Sequence, residues 1–409
     1  MDMTVFDGGV TAPKGYLAAG VAAGLKKNGK HDLMVLVSQV PATIAACFTS
    51  SVVKAAPVRR DQALLKTGDF VSAVVANSGN ANACTGAEGK AANEAMAQTL
   101  AEALEVPVGQ VWTASTGVIG APFPIQTVQA GIARAVPRLA DTREAAQQAA
   151  KAIMTTDTYS KEVAVSFELD GKTVTLGGMA KGSGMICPDL ATMLAFVTTD
   201  CAISGDMLQK ALSADVKDTY NMVSVDGDES TNDTLLLLAN GRAGNEAITA
   251  EGPAFDAFCE ALHVVNTTLS QHLARDGEGA TKLVIAKVTG ARTEEDARKL
   301  ARAVIQSSLV KAAMFGQDAN WGRILGAMGY SGARFNPDHV DITYTSAAGD
   351  IDLFVAGTPL VFDEDKALTI LKENEITVDI QVHEGWGNAT AWGCDLSYDY
   401  VKINGDYRS

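Results

Sequence analysis

Residues 181–194 read KGSGMICPDLATML, a glycine-rich approach to a small residue followed by a threonine. The glycines at 182 and 184 permit backbone angles closed to other residues, and Pro188 fixes one φ on the way to Ala191-Thr192. In a strained, well-held peptide the Thr192 hydroxyl can attack the carbonyl before it, an N-to-O acyl shift. Hydrolysis of the resulting ester would free Thr192 as a new N-terminus. Its α-amine, with a pKa near neutrality, could then serve as base for its own hydroxyl. Taken alone the stretch does not compel this reading. Most Ala-Thr bonds are inert, and a Gly-rich run (Gly177 to Met185, GGMAKGSGM) after a hairpin is commonly a plain connection between domains.

Outward from this stretch the chain alternates strand-like and helix-like segments. Ser160 to Gly178 reads as a hairpin around Asp170-Gly171, a favoured two-residue turn. Met34 to Val40 and Phe70 to Ala76 are short β-branched apolar runs, hence strands. Gly89 to Leu104 and Leu139 to Met154 carry apolar residues at helical spacing. Downstream, Ser204 to Met222 and Pro253 to Leu273 read as helices, Thr234 to Ala239 and Leu283 to Val288 as strands. Thr293 to Leu309 reads as a helix capped by Thr293, and strands dominate from Val340 onward. No fixed-period repeat or low-complexity linker interrupts the pattern.

Bulk properties narrow the function classes. A chain of 409 residues suggests two domains of ordinary size. A formal net charge of −15 repels phosphate backbones and argues against nucleic-acid binding. The sequence has no eighteen-residue apolar run and no signal-like N-terminus, so no membrane association is expected and a cytoplasmic protein is the default. Six cysteines, none in a C-x-x-C pair, read as reduced and structural. Five histidines without ligand spacing give no reason to expect a metal. Asp226-Gly227-Asp228-Glu229-Ser230 imitates the start of a calcium loop but has Thr231 and Leu237 where Gly and Glu are needed. Gly171-Lys172-Thr173 imitates a phosphate loop without its earlier glycine, since Ser166 stands there.

The string around residue 191 resembles the self-processing motif of the ornithine acetyltransferase family, also called glutamate N-acetyltransferase or the arginine biosynthesis bifunctional acetyltransferase family. The match departs at Cys187, where the family more often has Ala, though a small side chain is kept. Further strings resemble the family in order and rough spacing across nearly the whole chain. They are NSGNANACTG (77–86), STGVIG (115–120), IMTTD (153–157), DGDESTND (226–233), DGEGATKL (276–283), FGQDANWGR (315–323) and YVKINGDYRS (400–409). The region from Thr49 to Ala56 fits less well, with Ser51 or Val52 where an Asn is expected.

The resemblance implies a two-domain α/β (α+β) layered sandwich, similar to N-terminal-nucleophile enzymes. It would be cut into an α part, residues 1–191, and a β part, residues 192–409, which stay together and assemble as an α2β2 heterotetramer. It implies cleavage between Ala191 and Thr192, with Thr192 as nucleophile. Thr116 and Gly117 would form the oxyanion hole, a role that a Thr-Gly turn with its N–H and hydroxyl could fill, although a plain strand-end turn is the ordinary reading. Lys181 and Glu278 would contact the amino-acid substrate, although loop charges of this kind are usually solvated. Thr155 (or its neighbour Thr156), Asn404 and Ser409 complete the implied contacts. The implied reaction moves an acetyl group from N-acetylornithine to glutamate by a ping-pong route through an acetyl-Thr192 enzyme, in arginine biosynthesis. No cofactor is implied, and acetyl-CoA as a second acetyl donor stays open. Two other readings stand beside this one. One is a self-cleaving amidohydrolase or aminopeptidase of similar architecture, whose known relatives use Ser rather than Thr. The other is a non-catalytic acidic α/β binding protein.

Overall fold

The structure, a computed structural model, describes residues 2–67, 70–187 and 193–406. Ala191, Thr192 and Ser409 lie outside the described residues. The chain forms two compact bodies. The first takes its described residues from 1–182, 189–216 and 229–269, and the second from 183–188, 217–228 and 270–409. Each body therefore draws on sequence from both sides of residue 191.

The first body is built on one mixed sheet. Its strands are β1 (Met3–Phe6), β2 (Tyr16–Val21), β3 (Leu33–Phe48), β4 (Val71–Asn80), β5 (Val111–Val118), β6 (Lys161–Leu169), β7 (Lys172–Lys181) and β8 (Leu194–Thr199); after β9 (Val223–Ser224), which belongs to the second body, comes β10 (Thr234–Ala239). Their order is β1-β6-β7-β8-β10-β3-β4-β5, with β2 on β3. Side chains alternate faces along each strand. Met34, Leu36, Val74 and Ala76 pack into one core with Ala146, Ala149 and Ile153 of helix α4. Leu33, Val35, Ala73 and Val75 pack into another with Met96, Leu100, Val128 and Ile132 of α2 and α3. The helices are α1 (Ala56–Thr67), α2 (Gly86–Leu104), α3 (Ile125–Ala135) and α4 (Arg143–Ile153). This is a sheet between helical layers, the layered α/β arrangement expected. Layering is tight enough to require Gly20 on β2, where a Cβ would overlap the backbone of Gln148 in α4.

The hairpin expected between 160 and 178 is β6–β7. Its turn residues Asp170 and Gly171 both have positive φ, 52° and 70°, as a two-residue type I′ turn requires. The Gly-rich run Gly177–Met185 is not a simple connector: Gly177 to Lys181 are the last residues of β7, paired with β8 from Thr198 to Leu194. The strand runs are longer than the apolar stretches that revealed them. The helix expected over Ser204–Met222 ends early, as α5 (Gly205–Asp215), followed by a 3₁₀ turn at Tyr220–Met222.

After α6 (Pro253–Arg275), the second body carries β11 (Leu283–Ala291), β12 (Asp341–Ser346), β13 (Gly349–Val355), β14 (Thr358–Pro359), β15 (Glu375–Gln381) and β16 (Gly387–Cys394). With β9 they order as β14-β13-β12-β15-β11-β16-β9. The single helix expected over Thr293–Leu309 is two: α7 (Glu294–Gln306) and α8 (Ser308–Gly316). Ser307 breaks it, leaving helical φ/ψ and accepting the Val310 N–H with its hydroxyl. Thr293 caps α7 as its sequence predicts, accepting the Asp296 N–H at 3.1 Å. Helices α9 (Trp321–Gly329), α10 (Glu364–Leu371) and α11 (Tyr398–Gly405) complete the body.

Candidate active site

In the first body, Thr116 and Gly117 lie within β5, beside the end of β4, rather than in a free turn. Gly117 has φ +131°, closed to most L-residues, and a Cβ there would overlap the backbone of Gly79 and Asn80. Glycine is thus required by the close approach of two strands. Thr116 is 4% exposed and its Oγ1 accepts a hydrogen bond from Lys181 Nζ at 3.2 Å. With that lone pair engaged, the hydroxyl proton is directed elsewhere, as an oxyanion donor needs.

Lys181 ends β7 and is 2% exposed, so the ordinary solvated-loop reading does not hold for it. A buried ammonium requires compensation. Asp157 supplies it. Its carboxylate accepts Lys161 Nζ at 2.7 Å, the Gly182 N–H at 2.7 Å and the Thr155 N–H at 2.9 Å. Although burial raises its pKa, Lys161 and Lys181 and these donors outweigh that and hold it down at about 2. Thr155, Lys181 and Thr116 are thereby brought into one hydrogen-bonded neighbourhood, with Asp157 as its hub. Lys26 adds a third cation. Its ammonium donates to the Met154 carbonyl at 2.7 Å, and burial lowers its pKa to about 8 against the pull of Asp32 and Asp157.

Strand β8 begins at Leu194, two residues after Thr192. Met193 is held at both backbone groups. Its N–H donates to Asp233 Oδ1 at 2.9 Å, and its carbonyl accepts the Thr234 N–H at 3.1 Å. Asn232 ties the same loop to β5, donating to the Ser115 and Ala81 carbonyls at 2.7 Å each.

In the second body, Glu278 is 7% exposed, so it too is not a solvated loop charge. Its Oε2 accepts from Asn404 Nδ2 at 2.7 Å, and its N–H donates to the Ser183 carbonyl at 2.8 Å. A side chain at residue 184 would collide with the Glu278 carboxylate, which explains the second glycine of the KGSG string. Asp226 fixes the following residues, accepting the Met185 and Ile186 N–H groups at 2.7 and 2.9 Å. Tyr400 donates its hydroxyl to Asp226 Oδ2 at 3.1 Å. Residues 183–186 are therefore held within their own body by the Glu278 N–H and the Asp226 carboxylate.

Sequence reading passed over Asp157, Lys161, Lys26, Asp226 and Asp233. Asp157, Asp226 and Asp233 lie inside strings that were singled out as IMTTD and DGDESTND, so the signal was present. What sequence lacks is burial: Asp157 and Asp233 are 8% and 0% exposed.

The ArgJ family model matches residues 17–409. The chain is 52% identical to the arginine biosynthesis bifunctional protein ArgJ of Symbiobacterium thermophilum over 404 residues, covering 98% of this chain and 99% of the relative. It is 51% identical to the protein of the same name from Caldanaerobacter subterraneus, covering all of both chains. The solved structure of ornithine acetyltransferase complexed with ornithine from Mycobacterium tuberculosis is 40% identical, with TM-score 0.43, over 47% of this chain and 100% of that one.

Proposed function

The chain belongs to the ArgJ family, and on that premise we propose that it is a glutamate N-acetyltransferase of arginine biosynthesis, activated by self-cleavage between Ala191 and Thr192. As an acyltransferase it works on small molecules. The observation that carries the reading is the buried Thr116–Lys181 pair on strands β5 and β7, in the same body as the buried anchor of Met193, the residue that follows Thr192.

Thr192 Oγ attacks the acetyl carbonyl of N-acetylornithine, with the freed α-amine taking the hydroxyl proton. Charge develops on the carbonyl oxygen, and the Thr116 hydroxyl and Gly117 N–H stabilise it. Ornithine leaves and glutamate accepts the acetyl group in the second half-reaction. Lys181 matches a substrate carboxylate and Glu278 a substrate ammonium, with Thr155, Asn404 and Ser409 as further contacts. No cofactor takes part; acetyl-CoA acts as a second acetyl donor. The two fragments stay joined because β8 and β10, from beyond the cut, hydrogen bond along β7 and β3 before it. They assemble as α2β2 in the cytoplasm. Among the described residues no helix is long and apolar enough to cross a membrane.

A denaturing gel tests the cut: the purified protein should give two fragments divided at residue 191, and one full-length band from active enzyme would refute the proposal. Thr192→Ala should yield an uncut chain with no transfer from N-acetylornithine to glutamate. Acetyl-CoA and glutamate, assayed separately, decide the second donor.

A further inference from the structure

The two half-reactions bring different charges to the enzyme. N-acetylornithine carries an α-carboxylate and a side-chain ammonium. Glutamate carries an α-carboxylate and a second carboxylate at its side-chain end. Lys181 matches the carboxylate common to both, and Glu278 matches the ornithine ammonium. Neither provides for the side-chain carboxylate of glutamate, which a carboxylate such as Glu278 repels. A desolvated carboxylate without a partner is costly, so an enzyme that accepts glutamate needs a second cation.

Three lysines of the first body surround Thr116 and Thr155, and two are already engaged. Lys161 is buried against Asp157 at 2.7 Å, and Lys181 is bonded to Thr116 at 3.2 Å. Lys26, in the loop between β2 and β3, differs. It is partly buried, and its Nζ donates to the His31 and Met154 carbonyls at 2.9 and 2.7 Å. Neither of these partners is a carboxylate, and an ammonium has a third N–H to give. The loop is held rigidly. The fully buried Asp32 carboxylate accepts the N–H groups of Ala23, Gly24, Leu25 and Lys26, and the Asp32 carbonyl accepts the Ser78 N–H of β4 at 2.9 Å. From there the side chain passes Gly79, where an added Cβ would lie 3.5 Å from Lys26 Cγ. Gly79 is the strand partner of Gly117, and Met154 directly precedes Thr155. Lys26 thus lies between the strand pair that carries Gly117 and the residue before Thr155, near enough to Lys181 and Asp157 for their charges to act on it. Burial lowers its pKa only to about 8, so it is mostly charged at neutral pH.

We infer that Lys26 is the acceptor-specificity residue, its ammonium binding the side-chain carboxylate of glutamate in the second half-reaction and serving no such role in the first. This inference rests on the proposed acetyl transfer and deepens it with a residue outside the strings that resemble the family.

The test is steady-state kinetics on the purified enzyme, with N-acetylornithine as donor and either glutamate or glutamine, its neutral isostere, as acceptor. In a ping-pong scheme kcat/KM for each substrate reports its own half-reaction. Lys26→Met should lower kcat/KM for glutamate about thirtyfold, the scale of one hydrogen bond between charged groups. It should leave kcat/KM for N-acetylornithine within about threefold of the parent, on the same scale of argument. Glutamine should be used as well as before, so the preference for glutamate collapses. Lys26→Arg keeps the charge and should restore most of that preference. A loss that falls equally on donor and acceptor, or an unchanged glutamate-to-glutamine ratio, overturns the role, because a merely structural lysine leaves that ratio alone. Should Lys26→Met fail to fold, Lys26→Gln, which can still donate to a carbonyl, is read by the same ratio. A parent enzyme with no transfer from N-acetylornithine to glutamate refutes the proposed function itself, whereas an active parent beside a variant of unchanged ratio refutes only the role of Lys26.

Discussion

In the first body Asp157, Lys161, Lys181 and Thr116 are each less than a tenth exposed and form two side-chain pairs, Asp157–Lys161 and Thr116–Lys181, linked by the Gly182 N–H on the Asp157 carboxylate. In the second body Glu278 is buried to a similar degree, but its partner Asn404 stands exposed on the eight-residue helix α11. Both arrangements hold a charge in place, one among buried side chains and one beneath an exposed side chain. The first fixes an electrostatic environment that reorganises little during a reaction, which is what oxyanion stabilisation requires. The second leaves a carboxylate held by one exposed side chain, which suits a group that must meet a substrate ammonium and release it.

The largest effect should come from breaking the hub of the first arrangement. Asp157→Asn, made in the uncut Thr192→Ala background so that one chain unfolds, should lose about 3–5 kcal/mol in urea unfolding, because it removes the charge that neutralises the buried Lys161 ammonium. A loss under about 1 kcal/mol would mean that the net is not the rigid element described. Next in size is Thr116→Ala, which should lower kcat by about 10²–10³ with KM nearly unchanged, the cost of one oxyanion donor. A change in KM alone would move Thr116 from transition-state stabilisation to substrate binding.

A smaller effect follows from acid. The folded pKa of Asp157, about 2, lies below its unfolded value of 3.8, so the unfolded chain binds the extra proton between these values. Its stabilisation is complete above about pH 4 and is lost as pH falls toward 2. The loss should be about 2 kcal/mol, read as the difference in acid unfolding between the Thr192→Ala chain and its Asp157→Asn derivative.

The same contrast explains what the sequence disclosed. Alternation and turn chemistry revealed β6–β7, since Asp170-Gly171 carries its own geometry. The break at Ser307 was hidden because apolar spacing continues through it, and only the local cap at Val310 shows that one helix has become two. The site was legible as strings but not as a network. Lys181 and Glu278 stand in Gly-rich runs that look solvated, and their burial depends on strand pairing and on residues up to 126 positions away. Asp157 and Asp233 carry no local mark that separates them from surface carboxylates, because what distinguishes them is the neighbours that tertiary packing supplies.

The smallest expected effect is at Asn404, where the comparison can be sharpened rather than broken. Helix α11 has eight residues and no side-chain cap at Ser397, whose hydroxyl instead donates to the Gly279 carbonyl at 2.6 Å. A helix so short is marginal by itself, so the Asn404–Glu278 bond could serve either the helix or the carboxylate. Tyr400 already anchors the helix to Asp226 at 3.1 Å, which leaves the Asn404 bond free to orient Glu278. Asn404→Ala should therefore raise KM for N-acetylornithine about tenfold, the scale of one hydrogen bond to a charged group, with kcat and Tm nearly unchanged. Tm falling with KM unchanged would assign the bond to the helix and make the exposed cover a structural brace. A fall in Tm together with a rise in KM would mean that α11 docks as a unit, with the orientation of Glu278 set by the whole helix rather than by one side chain.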